Sequence, residues 1–391
     1  MFATAGRDED AIQRLVKARQ NPYEMSAQFQ LSATDYEGVE WACGVVGPVL
    51  KGMPKTGWPL TGKIYAMTTR TSGPQVAASS GVELLFLKEF WLPIDEAMST
   101  VVSIGGEQLL RKWSRGRHAL EVLGSEIRFF FTPSDDFLWL TATTSDKLSH
   151  PYAENWVSEP LRILLGQLIY PRLVARNFGN GSAHVALLPS PPFVRDSEVV
   201  SLLHRKPESA REDFWGLYAS LLTVIAEARD EKGNPNFQAH PMTRFYEEII
   251  QAMRWSRWVR CMTLASAAEG LSKMLMRPED AKSDFADEEI QSLKDYAARW
   301  KGDERLRARI ITELDYVSTK GIGKYLRDLV KQGVLKQSNE RAWSSVRNAV
   351  MHGDLVSPWS TGKEEDDKLS NLIDLVRNLT YELIRRVGER G

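Results

Sequence analysis

The rhythm of hydrophobic and polar positions changes partway along the chain. Up to about residue 190, short runs of β-branched and aromatic residues, GKIYAMTTR, SEIRFFFT and FLWLTATT, alternate with GMPKTGWPLTG, TSGPQ and TPSDD. Such runs read as strands, and the stretches between them as turns. Helical spacing interrupts this pattern at Asp95 to Arg115 and again from Glu154 to about Arg176. Residues 1–190 are therefore expected to form a β-rich α+β domain. The run LRILLGQLIYPRLVA is broken by Gln167, Pro171 and Arg172, far short of the roughly 20 apolar residues a membrane span needs. It reads as a buried helix.

LLPSPPFVRD, Leu187 to Asp196, concentrates three prolines and marks a boundary, because proline and the residue before it both resist helix. From 196 to 391 the pattern is helical throughout. Ser209 is the expected cap of a helix with Phe214, Leu217, Leu221 and Ile225 on one face, ending at Gly233. Pro241 onward runs without a breaker to Pro278, which predicts a single helix of more than thirty residues. Further helices are expected at Asp287 to Trp300, Glu304 to Val317, Lys324 to Gln332, Asn339 to His352 and Asp367 to Val387. The last carries Leu369, Leu372, Ile373, Val376, Leu379, Leu383 and Val387 along one buried stripe. The fold class is thus α+β: a β-rich front domain followed by an all-α bundle.

Composition narrows the function classes. With 43% hydrophobic and 26% charged residues the chain is that of a folded protein, and 391 residues suit two domains. The formal net charge of −1 gives no overall cationic field, so any polyanion must be held by local arginines and lysines. Two cysteines, Cys43 and Cys261, exclude a zinc ribbon and make a disulfide framework improbable. The acidic start MFATAGRDEDAIQRLVKARQ does not resemble a signal peptide. A cytoplasmic protein with no membrane association is expected.

The candidate chemistry lies in SSVRNAVMHGDLV, Ser344 to Val356. Trp343, Val346 and Val350 give this helix a core side. Ser344, Asn348 and His352, each four apart, line up along another face. Arg347 stands beside Asn348, and Gly353 offers a left-handed cap that places His352 in the last turn. An imidazole with a pKa of about 6.5 can serve as base or acid. A guanidinium fork matches phosphate oxygens, and an amide can orient either group without adding charge. These are the groups needed to cleave RNA through its own 2′-hydroxyl without a metal or other cofactor. One histidine per chain cannot easily be both base and acid, so the chemistry points to a homodimer with a composite site.

VRNAVMHG on the penultimate helix of a helical carboxy-terminal domain resembles the signature of the HEPN superfamily: arginine, a polar residue, three more residues, histidine. LASAAEGLSKML resembles the family's earlier helix, with Glu269 among small and apolar residues. The resemblance covers roughly 241–391, and the whole chain is similar in architecture to the ApeA-like group of that superfamily. It implies a helical bundle dimerising across the motif helices. It also implies a metal-independent endoribonuclease leaving 2′,3′-cyclic phosphate ends, of the kind found in bacterial toxin, phage-defence and RNA-processing systems. By that resemblance Arg347 binds phosphate, Asn348 supports it, His352 is acid or base, and Glu269 braces the site, with Arg347 as one partner for its carboxylate. RNA, tRNA included, is the implied substrate, and a regulatory ligand or protein is expected at the front domain. The competing expectation is a catalytically silent dimerisation or RNA-binding module.

Other segments carry weaker signals. MRWSRWVRC and DERLRARI offer Arg254, Arg257 and Arg305 as RNA contacts. The commoner expectation for the first is that Trp255, Trp258 and Met262 continue the core stripe. STKGIGKYL lacks the first glycine of a phosphate loop, so its glycines are expected to start a helix. FGNGSAH is expected to be a turn. No histidine pair or carboxylate spacing suggests a metal.

Overall fold

In a computed structural model, the structure describes residues 3–5, 13, 16–17, 20–21, 24, 29–36, 38–46, 49–50, 58–61, 64–69, 80–87, 92–94, 96–105, 107–131, 137–189, 201–203, 210–230, 232–235, 239–277, 279–283, 285–317, 320–352 and 362–389. Two compact units divide the chain. The first is Met1–Ser158, Ile169–Pro192 and Arg229–Gln238; the second is Glu159–Leu168, Phe193–Ala228 and Ala239–Gly391. The main crossing thus falls in the proline-rich stretch, while two short segments are exchanged between the units.

The first unit is built on antiparallel strands: β1 Ala3–Ala5, β2 Phe29–Thr34, β3 Glu40–Val46, β4 Val49–Leu50, β5 Trp58–Thr61, β6 Ala66–Thr69, β7 Gly81–Phe86, β8 Glu96–Ile104, β9 Glu107–Val122, β10 Ser125–Phe131, β11 Leu138–Thr143, β12 Leu173–Asn177 and β13 Ala183–Leu187. Ten of them form one sheet in the order β2-β3-β6-β13-β12-β7-β11-β10-β9-β8, and β1, β5 and β4 form a small second sheet. Alternation decides the sides, since successive residues of a strand point to opposite faces. Val82, Leu84, Phe86, Ile127, Phe129, Leu138 and Leu140 are all buried on one face. The short helix α1, Ala153–Trp156, packs against β7. FGNGSAH makes the turn of the β12–β13 hairpin, where Gly181 takes φ of 81°, a conformation glycine adopts without strain.

Two helical expectations here are overturned. Within the stretch expected to be helical from Asp95 to Arg115, the described residues form the paired strands β8 and β9 instead of a helix. Helix α2, Glu159–Leu165, ends before Gly166 (φ 61°), and the chain beyond it enters β12. The apolar run therefore contains a helix, a left-handed turn and the start of a strand.

Among the described residues the second unit holds α2 and eight further helices: α3 Ala210–Glu227, α4 Pro241–Ala252, α5 Arg257–Leu275, α6 Asp287–Arg299, α7 Glu304–Val317, α8 Ile322–Lys331, α9 Gln337–His352 and α10 Lys363–Gly388. Gly321 stands at the start of α8, as expected from STKGIGKYL. The single long helix from Pro241 is broken. Residues 253–256 form a turn, and Ser256, in extended conformation (ψ 156°), caps α5 by accepting from the Val259 amide at 3.4 Å. A side-chain oxygen that satisfies a free amide starts a new helix without proline or glycine. Trp255 is consequently 60% exposed and Met262 39% exposed, so they do not continue the core stripe. Helices α5 and α10 run side by side in the same direction. Arg257 pairs with Glu365 near their starts, and Arg386 donates to the Leu275 carbonyl near their ends. Cys43 and Cys261 are both buried, and they form no disulfide with each other. No helix among the described residues is long and apolar enough to cross a membrane.

Candidate functional site

Helix α9 carries the motif, and its buried side sets what its other side presents. Asn339 is fully buried: its Oδ1 accepts from the Lys336 amide at 3.0 Å, and its Nδ2 donates to the Asn371 carbonyl on α10 at 2.9 Å. Ala342, Trp343 and Val346 complete the core face, and the Trp343 indole donates to the Ala265 carbonyl on α5 at 3.1 Å. A polar anchor at each of two neighbouring helices fixes the rotation of α9 as well as its position.

Arg347 and Asn348 therefore face outward, both exposed. The Arg347 guanidinium carbon lies 5.5 Å from the centre of the Trp343 ring, within cation–π range. Helical side chains lean toward the helix start, and Arg347 follows that tendency, lying one turn back over Trp343. Ser344 is half-buried and donates to Glu340 Oε1 at 2.9 Å on its own helix. That bond serves the buried Glu340 carboxylate. The helix backbone includes His352, but the side chain of His352 lies outside the described residues, as does Gly353 with its expected cap. Arg347 and Asn348 thus share one exposed surface, and their meeting with His352 lies outside the described residues.

Glu269 is engaged differently from the expected brace. Its Oε1 accepts an ion pair from Lys273 Nζ at 2.8 Å, one turn further along α5, and its side chain is one-third exposed. A surface pair of this kind contributes little, about 0.3–0.5 kcal/mol. Of the arginines proposed as RNA contacts, Arg254 sits exposed in the turn before α5 and Arg305 is exposed on α7. Arg257 is instead held between Glu365 and Asp366 of α10, with its side chain largely buried. Its charge is neutralised, so phosphate would have to displace two carboxylates.

The first unit holds a constellation that sequence reading missed. Ser80 Oγ lies 3.3 Å from His150 Nε2, and His150 Nδ1 lies 3.8 Å from Glu154 Oε2. The outline is that of a nucleophile, base and orienting carboxylate. Proton placement argues against that role. His150 Nε2 is also 3.0 Å from the Asn177 carbonyl, which can only accept, so Nε2 carries the hydrogen and has no lone pair for the serine proton. Burial alone would raise the Glu154 carboxyl, but the Arg176 guanidinium, which donates to Glu154 Oε1, holds it below the usual range. The group ties α1 to the sheet. Among the described residues no set of three or more His, Cys, Asp or Glu side chains stands close enough to hold a metal ion.

No family model, no curated protein and no solved structure matches this chain.

Proposed function

We propose that the helical unit is a HEPN-type endoribonuclease acting as a homodimer, with Arg347, Asn348 and His352 of two chains forming one metal-independent site. The observation that carries this reading is the presentation of α9. Trp343 and Val346 are buried to 2% and 1%, while Arg347 and Asn348 beside them are exposed. A cation held over an aromatic ring in solvent is preorganised for an anion at modest entropic expense.

In the reaction, the neutral imidazole of one chain removes the proton from the ribose 2′-hydroxyl as its oxygen attacks phosphorus. The imidazolium of the other chain protonates the departing 5′ oxygen. The guanidinium stabilises negative charge on the phosphorane, and the Asn348 amide donates to the same oxygens or orients the imidazole. A 2′,3′-cyclic phosphate and a 5′-hydroxyl result. The front unit controls when or where cleavage occurs.

A second reading, a catalytically silent dimerisation module, is favoured by Val350, which is 42% exposed on the same helix and suits burial against another copy. The two readings separate on one assay. Purified protein incubated with mixed tRNA in EDTA is expected to release fragments with cyclic phosphate ends. Arg347→Ala and His352→Ala are each expected to lower the rate by at least 100-fold while the dimer persists in light scattering. Cleavage at the parental rate in both variants would reject the assigned site. No cleavage by the parent, even from cells in which its expression is toxic, would favour the silent module.

A further inference from the structure

The concave face of the ten-stranded sheet carries a carboxylate with one oxygen that has no hydrogen-bond partner among the described residues. Cross-strand register places Arg128, Thr141, Glu83, Ala175, Val185 and Met67 in one row across β10, β11, β7, β12, β13 and β6. Directly opposed residues in antiparallel strands point to the same face. The next row on that face is Phe130, Trp139, Leu85 and Leu173, of which Phe130 and Trp139 are buried and packed with the other two. The sheet also curls back over this face. Ile104, at the end of β8, packs on Ala175, Ala183 and Val185, and the Gly105 amide donates to Asn177 Oδ1 at 3.0 Å. The β8 edge is thereby brought close to β7 and β12, although four strand pairings separate it from β7.

Glu83 stands in the middle of this concavity. Its Oε2 is sealed from solvent and has no hydrogen-bond partner, although the residue as a whole keeps partial exposure. Among the described residues, the cation that acts on it is Arg128, two strands away, about 10 Å between backbones at the usual strand spacing. Arg128 is already taken: its Nε donates to Glu126 Oε1 at 2.7 Å and its Nη2 to Glu126 Oε2. One cation thus faces two carboxylates, and the deeper one remains uncompensated. A buried acceptor without a partner destabilises a fold, and groups of this kind concentrate at functional sites.

We propose that this concave face binds a small organic cation, an ammonium or amidinium carried on a flat apolar body, with Glu83 as its charge partner. The apolar body lies along Trp139, Leu85 and Leu173, and the cation supplies the hydrogen bonds that Glu83 lacks. Burial holds the Glu83 carboxyl well above the usual carboxylate range. A cation must therefore displace its proton, and binding tightens as pH rises. Every residue involved lies in the sheet unit, so the proposal stands or falls independently of RNA cleavage.

Calorimetry with the full-length protein tests it, using tryptamine as probe and indole-3-ethanol as its neutral counterpart. Tryptamine is expected to bind at least tenfold more tightly than indole-3-ethanol at pH 8. Its binding is expected to release a proton, seen as a heat that differs between buffers of different ionisation enthalpy. Glu83→Gln is expected to abolish both the preference and the proton release while melting no lower than the parent. Equal affinities for the two compounds in the parent protein, which needs no variant, would overturn the proposal. So would no tryptamine binding at millimolar concentration, or an undiminished preference in Glu83→Gln.

Discussion

His240 shows how much a single buried side chain contributes to this fold. It caps α4 with Nδ1, which accepts from the Met242 amide at 3.2 Å, while its own amide donates to Glu159 Oε2 at 3.0 Å. Burial pushes its pKa down to about 4. The folded form therefore holds the imidazole neutral while the unfolded chain protonates it below about 6.5. Stability from this group is complete above that value and is lost as pH falls toward 4, to an extent on the order of 3 kcal/mol. Glu159 works in the opposite sense, since burial raises its pKa. The comparison that isolates the imidazole is the parent against His240→Asn, which keeps a capping acceptor. Denaturant melts between pH 7 and 4.5 should show the parent losing stability faster; parallel curves would refute the assignment. At this scale the sequence indicated which way residues of the motif helix face better than what charged side chains touch. Arg347 and Asn348 face outward as helical phase requires. Glu269 pairs with Lys273 and Arg257 with two acids of α10, because local and cross-helix partners compete for the same charge.

Among the elements, those with a strong period of their own were legible and those fixed by distant partners were not. Glu304–Val317 and Ser125–Phe131 match their expected positions, since each carries a complete pattern within itself. In β9, Leu109, Leu110 and Trp113 imitate helical spacing, and only pairing with β8 and β10 makes the segment a strand. The break before α5 was hidden for a related reason: Ser256 caps a helix only if the chain turns there. Helix α9 owes its register to a contact equally invisible in sequence, the Asn339 bridge to α10. Asn339→Ala should leave the Asn371 carbonyl without its donor and lower stability by about 1–3 kcal/mol, measured by urea denaturation. An unchanged midpoint would mean that α9 is held by its apolar face alone.

Across the whole molecule, two units of separate construction share one chain. The curled sheet offers an uncompensated carboxylate suited to a small cation, and the bundle offers an outward arginine and asparagine on a helix with exposed Val350. The division between strands and helices was written in the change of hydrophobic period. The exchange of Glu159–Leu168 and Arg229–Gln238 was not, because it depends on packing between segments far apart in sequence. A site completed by two chains makes activity depend on how subunits are mixed. Parent and His352→Ala chains are co-expressed in varied proportions, and RNA cleavage in EDTA is measured against the fraction of parent chains. If each cut needs His352 from both subunits, activity follows the square of that fraction. Activity in simple proportion to the parent chains would contradict the composite site.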